Sequence, residues 1–128
     1  MQMTIGMAVY DDFDGVYFTI QSIRLHHDLQ DVEFIVVDNN PASPAGRTTG
    51  DFVRGWVPRG RYIPMPEPKG TTQTRQRVYD EAAGEAVVVM DPHVLLTPGV
   101  LGRLVQFYRK NPETLDLAPL NRKNIRSA

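Results

Sequence analysis

Three apolar runs that do not alternate decide what this chain can become. MTIGMAVY at 3–10, VEFIVV at 32–37 and EAVVVM at 85–90 are apolar on both sides of a pleat. That is the pattern of strands covered on both faces, not of an antiparallel sheet with one wet side. Between the first two runs, Phe13, Val16, Tyr17, Ile20, Ile23 and His27 fall on one stripe of a helix expected over 13–27, with Asp11 or Asp12 able to cap it. After the second run the chain reads Asp38-Asn39-Asn40-Pro41, and from there to Gly70 prolines and glycines break every pattern. Only a short helix over 51–56 and a short strand over 61–63 are expected there, with Pro64 placing that strand at an edge or ending it.

The periodicity then recovers. Thr71 or Thr72 caps a helix through Ala83, and Gly84 closes it just before the third run. Thr97 followed by Pro98 opens a helix through Lys110, stopped by Asn111-Pro112, and 114–118 reads as a last short strand. Strands alternating with helices predict an α/β fold, a mostly parallel sheet with helices on both faces, because parallel neighbours require crossovers. The 128 residues are expected to form one domain spanning 1–128, long enough to bury roughly two thirds of its surface.

In such sheets ligands bind outside the carboxyl ends of the strands. The polar clusters Tyr10-Asp11-Asp12, Asp38-Asn39-Asn40 and Asp91-Pro92-His93 all follow strands, so they are expected to share one rim. An acid and an imidazole two residues apart, Asp91 and His93, offer an oxygen and a nitrogen ligand to a divalent ion. The same residues also read as a turn with a half-buried loop histidine, and Asp11 and Asp12 serve as well for helix caps as for ligands.

Composition narrows the classes without choosing among them. Fourteen Lys and Arg against fifteen Asp and Glu give a net charge of −1, so neither nucleic acid nor a polybasic membrane anchor is expected. Zero cysteines remove disulfides and thiol chemistry. No run of eighteen apolar residues and no signal-like start is present, which makes a cytoplasmic location without a transmembrane segment the expectation.

Taken in order, the motifs resemble a known family. Ala8-Val9-Tyr10 ends the first strand, and Ile35-Val36-Val37-Asp38-Asn39 ends the second. Gly70 precedes Thr74-Arg75-Gln76-Arg77 and Ala82-Ala83-Gly84-Glu85, and Val87 to Met90 lead into Asp91-Pro92-His93. The set is similar to the nucleotide-binding half of family 2 glycosyltransferases with the GT-A fold, over about residues 3–118.

The resemblance implies a glycosyltransferase, or the donor-binding part of one, using a nucleoside diphosphate sugar, most simply a UDP-sugar, with Mn²⁺ or Mg²⁺ as cofactor. It places Ala8, Tyr10, Asp12, Asp38, Arg75, Met90 and Asp91 against the donor. Tyr10 lies near the base, Asp38 accepts from uracil N3, and Arg75 stands near the base and diphosphate. Asp91 and His93 match the metal-binding Asp-x-Asp signature in its Asp-x-His form. Thr74 and Gln76 depart from the usual Ala and Asn, and His93 replaces an aspartate. The acceptor-binding half, with its catalytic base, is expected to be missing, since no acid follows Asp116; the acceptor is not legible.

Two other readings remain open: a nucleotide-binding or assembly module without turnover, and an unrelated doubly wound domain of the response-regulator or flavodoxin type. The apolar face of Val100, Leu101, Leu104 and Phe107 is expected to lack its cover, so the chain either self-associates, most simply as a homodimer, or stays monomeric with weak nucleotide binding.

Overall fold

The computed structural model describes residues 3–93 and, beyond them, Gly99, residues 102–104, Gln106 and Lys110. Among the described residues the elements with full bounds are β1 (Met3–Val9), α1 (Phe13–His26), β2 (Val32–Asp38), α2 (Pro44–Trp56), β3 (Gly60–Pro64), α3 (Thr71–Glu81) and β4 (Ala86–Met90). The four strands form one sheet in the order β3-β2-β1-β4, and every neighbouring pair is parallel.

The unalternated runs are explained by cover on both sides. Met3, Ile5 and Met7 of β1, Phe34 and Val36 of β2 and Val88 and Met90 of β4 meet Val16, Ile20 and Ile23 of α1 and Phe52 and Val53 of α2. Ile35 and Val37 of β2 and Val87 and Val89 of β4 meet Val78, Tyr79 and Ala82 around α3. Successive strand residues point to opposite faces, so each run had to be apolar throughout. Each such side chain contributes about 1.5–3 kcal/mol when fully buried.

Local signals set most boundaries. Asp12 caps α1, its Oδ1 accepting from the Gly15 N–H at 2.9 Å. Pro64 ends β3, which is an edge strand of the described sheet, as a proline there requires.

The expected short helix over 51–56 is instead the thirteen-residue α2. Ser43 caps it through a bond from Gly46 N–H at 2.9 Å, and Pro44 occupies its first turn. Gly46 and Gly50 read as breakers but are packing residues. A Cβ on Gly46 would lie 2.8 Å from the Pro41 carbonyl, and one on Gly50 would lie 3.1 Å from the Tyr62 ring.

α3 also departs from expectation. Gly70, not Thr71 or Thr72, is its N-cap, with no side-chain bond, and it stops at Glu81 rather than Ala83. The reason is the buried Glu33. Its Oε2 accepts from Ala83 N–H at 2.6 Å and from the Thr4 hydroxyl at 2.7 Å, while Thr4 Oγ1 accepts from Gly84 N–H at 2.9 Å. These bonds draw residues 83–84 off the helix and into line for β4. Arg61 holds the freed end by donating to the Glu81 carbonyl at 2.7 Å and to its carboxylate at 2.8 Å. The Arg61 and Arg77 hydrogen bonds keep the Glu81 carboxyl below its usual range.

The helix expected over 97–110 is described only at residues 102–104, 106 and 110, which are helical. The expected strand over 114–118 lies outside the described residues, as do Val100, Leu101 and Phe107; Leu104 is half-buried against the core. Among the described residues no helix is long and apolar enough to cross a membrane.

The two roles of glycine in α2 separate cleanly. Gly46→Ala should destabilise the fold by about 1–3 kcal/mol, since its new methyl meets backbone atoms that no rotamer can move aside. Gly55 has nothing within 4 Å of a built Cβ, so Gly55→Ala should stabilise by about 0.5 kcal/mol. Urea midpoints of the two variants check both signs.

Candidate functional site

The parallel pairing of the described strands brings the exits of β1, β2 and β4 to one rim, as the strand-end rule requires. Two rim residues, Asp11 (φ 53°) and His93 (φ 76°), hold the left-handed backbone that non-glycine residues seldom adopt. Such strain, of order 1–3 kcal/mol each, gathers at functional loops.

On the α3 side of the sheet a cleft of about 70 Å³ is lined by Ala8, Val9, Tyr10, Asn39, Thr71 and Thr74. Ala8 and Tyr10 are therefore together, and Tyr10, 61% exposed, is a surface ring and not a core one. Asn39 builds the cleft's far wall. Its Nδ2 donates to the Lys69 carbonyl at 2.6 Å, its Oδ1 accepts from Lys69 N–H at 2.7 Å, and its own N–H bonds Val9 O at 2.8 Å. This two-point clamp fixes the segment that launches α3.

Beside the cleft, Arg75 of α3 makes an ion pair and hydrogen bond with Asp91. The guanidinium is 29% exposed and the carboxylate 69%, so the pair fronts solvent and a cation is held at the rim. His93 turns the other way. Its Nε2 lies 2.6 Å from Asp12 Oδ2, and its backbone N–H donates to Thr19 Oγ1 of α1 at 2.8 Å. Asp91 and His93, expected to face one ion, are thus attached to α3 and to α1 respectively.

The donor chemistry of that pair still suits a divalent ion. Only Oδ1 of Asp91 meets Arg75, and the carboxylate on Nε2 of His93 leaves Nδ1 as the ring's open position. Among the described residues no three acids or histidines form a ready-made cage, so a ligand's own oxygens would have to supply the remaining positions.

Asp38 and Met90, which the resemblance places against the donor, are both buried. Met90 has its side chain in the α1/α2 core, so only its main chain can face a ligand. Asp38 is 1% exposed and shares Val36's face of β2. Its Oδ2 accepts from the Tyr62 hydroxyl at 2.7 Å and its Oδ1 from Asn40 N–H at 2.9 Å. The Tyr62 ring is held by the Arg54 guanidinium 4.7 Å from its centroid. Burial first, then the hydrogen bond and charge of Asp38, push the Tyr62 hydroxyl well above its ordinary value near 10.

Sequence reasoning did not single out Tyr62, Thr19 or Lys69. Each acts through a partner 24 to 74 residues away, and no local pattern announces that. A larger hollow of about 550 Å³ between α1 and α2 is lined by Phe13, Tyr17, Phe52 and Trp56 among others. Phe13 and Tyr17 meet there as tilted rings with centroids 5.6 Å apart, but the hollow holds none of the rim's acids.

The Tyr62–Asp38 bond carries a measurable pH signature. Tyr62→Phe should cost about 1–3 kcal/mol near neutrality, because a buried carboxylate loses a donor. The raised hydroxyl contributes stability that is complete below pH 10 and is lost as pH climbs toward the folded value. The gap between parent and variant in urea unfolding should therefore narrow above pH 10.

The family model described as glycosyl transferase family 2 matches residues 4–125. No curated protein matches the sequence. Among solved structures, S. aureus TarS 1–349 is similar at 14% identity with a TM-score of 0.73, over 87% of this chain and 33% of that one. The same piece of TarS in complex with UDP-GlcNAc gives 15% identity and a TM-score of 0.69, over 87% of this chain and 32% of that one. A further TarS structure gives 14% and 0.72, with 20% of that chain covered. The chain thus spans a third or less of the TarS chains it matches, and the likeness establishes the GT-A fold.

Proposed function

The chain belongs to glycosyl transferase family 2, and from that premise we propose that it binds a nucleoside diphosphate sugar of the UDP class at this rim, for transfer of the sugar. The observation that carries the reading is the Arg75–Asp91 pair beside the Tyr10 cleft. It sets a cation and an exposed carboxylate next to a slot walled by an aromatic ring. The TarS structure that holds UDP-GlcNAc supports the choice of ligand class.

Glycosyl transfer builds negative charge on the departing diphosphate, and fixed positive charge stabilises it. Arg75 supplies one such charge. A divalent ion, Mn²⁺ or Mg²⁺, held by Asp91 and His93 would supply Lewis-acid stabilisation of the same oxygens. The mixed oxygen and nitrogen donors favour Mn²⁺ over Mg²⁺.

In this reading the base lies in the cleft against Tyr10, with the main chain of residues 8–10 and the Asn39 clamp around it. Asp38 stands behind that wall. Its bonds to Tyr62 and Asn40 use two of about four acceptor positions. At 1% exposure Asp38 meets a uracil imide only once its surroundings open.

Calorimetry with UDP, CDP and ADP tests the reading directly. UDP should bind best, and Arg75→Ala should weaken it by tenfold or more, about 1.4 kcal/mol. Equal affinity for the three nucleotides, unchanged by Arg75→Ala, would sink it. Clear UDP binding with no turnover of any UDP-sugar would instead mark a nucleotide-binding module without catalysis.

A further inference from the structure

The Asp12–His93 contact does more than tie two loops together, and its chemistry fixes which nitrogen of the ring is available. An ionised carboxylate only accepts hydrogen bonds. With Asp12 Oδ2 at 2.6 Å from Nε2, Nε2 is the ring nitrogen that donates, so Nδ1 is the nitrogen left to carry a lone pair. A ligating histidine characteristically donates its other ring N–H to a carboxylate in this way, which sets both tautomer and orientation.

Resting on the metal reading above, we infer that Asp12 is the positioning residue that presents Nδ1 of His93 to a divalent ion at the rim. Three features show that the arrangement is built. Asp12 is itself anchored, since its other oxygen caps α1 at Gly15 N–H. Gly15 makes the room: a Cβ there would overlap Asp12 Oδ2 and lie 2.8 Å from both His93 Nε2 and Pro92 Cβ. His93 adopts φ 76° and is pinned by its N–H to Thr19 Oγ1 at 2.8 Å, so the backbone and the ring are held by α1 together. The ring remains 69% exposed, as a group that must meet an outside ion requires.

Asp12→Asn is the sharp variant. Asparagine is as good a cap as aspartate, but keeping that bond turns its NH₂ toward Nε2. The imidazole then accepts at Nε2 and carries its proton on Nδ1, where it blocks a metal.

Long-range ¹H–¹⁵N NMR on the metal-free 128-residue chain should find His93 in the Nε2–H form in the parent and shifted toward Nδ1–H in Asp12→Asn. Mn²⁺ titration in the presence of UDP, followed by electron paramagnetic resonance, should show affinity tenfold or more weaker in Asp12→Asn at an unchanged unfolding temperature. Adding Asp12→Asn to His93→Ala should cost nothing further. An Nδ1–H ring in the parent, equal Mn²⁺ affinity in Asp12→Asn, or a loss as large in the His93→Ala background would each overturn the inference while leaving the metal reading standing. A parent that binds UDP but no Mn²⁺ would remove both.

Discussion

The central position of β1, paired in parallel with β2 on one side and β4 on the other, is the constraint from which the rest of this structure follows. A strand in that place has both faces covered and both edges bonded, so nothing polar can be tolerated along it unless it is satisfied. Thr4 is the exception that proves useful: its hydroxyl joins Glu33 and the Gly84 N–H, and that network decides where α3 stops. Because all the described pairings are parallel, the chain turns back between these strands through helices, and each of them discharges its polar residues at the same end.

The rim that results is organised by pairs rather than by one cluster. Arg75 with Asp91 links α3 to β4, Asp12 with His93 links α1 to β4, and Asn39 with Lys69 links β2 to the start of α3. Each pair ties a strand exit, or the loop that follows it, to a helix start or the segment before it, so the rim loops are held from both faces of the sheet. Such supported loops can hold backbone strain at Asp11 and His93, and they present charge to solvent without letting it collapse into the core.

The fold was legible wherever a local pattern was also the global one. The runs in β1, β2 and β4 declared buried strands, and the stripe from Phe13 to Ile23 declared α1. α2 was half missed because Gly46 and Gly50 look alike in sequence whether they break a helix or admit a neighbour, and the neighbours here are Pro41 and Tyr62. The end of α3 was overrun for a similar reason, since Glu33 lies fifty residues before the Ala83 N–H that it binds.

By itself the sequence determined the α/β class, the parallel sheet, the common rim and the residue types on it, because periodicity and strand-end polarity are local properties that burial acts on directly. It also carried a resemblance to the family whose model matches residues 4–125. Only the tertiary structure decided which partner each rim residue has: Asp91 goes to Arg75, His93 to Asp12, and Asp38 turns behind the sheet to Tyr62. The physical reason is that a side chain's direction at a strand exit depends on the backbone angles of the last few residues and on which donors the packed helices bring within about 3 Å. Those donors arrive from segments far apart in the chain, so the chemistry of each residue was readable while its geometry was not.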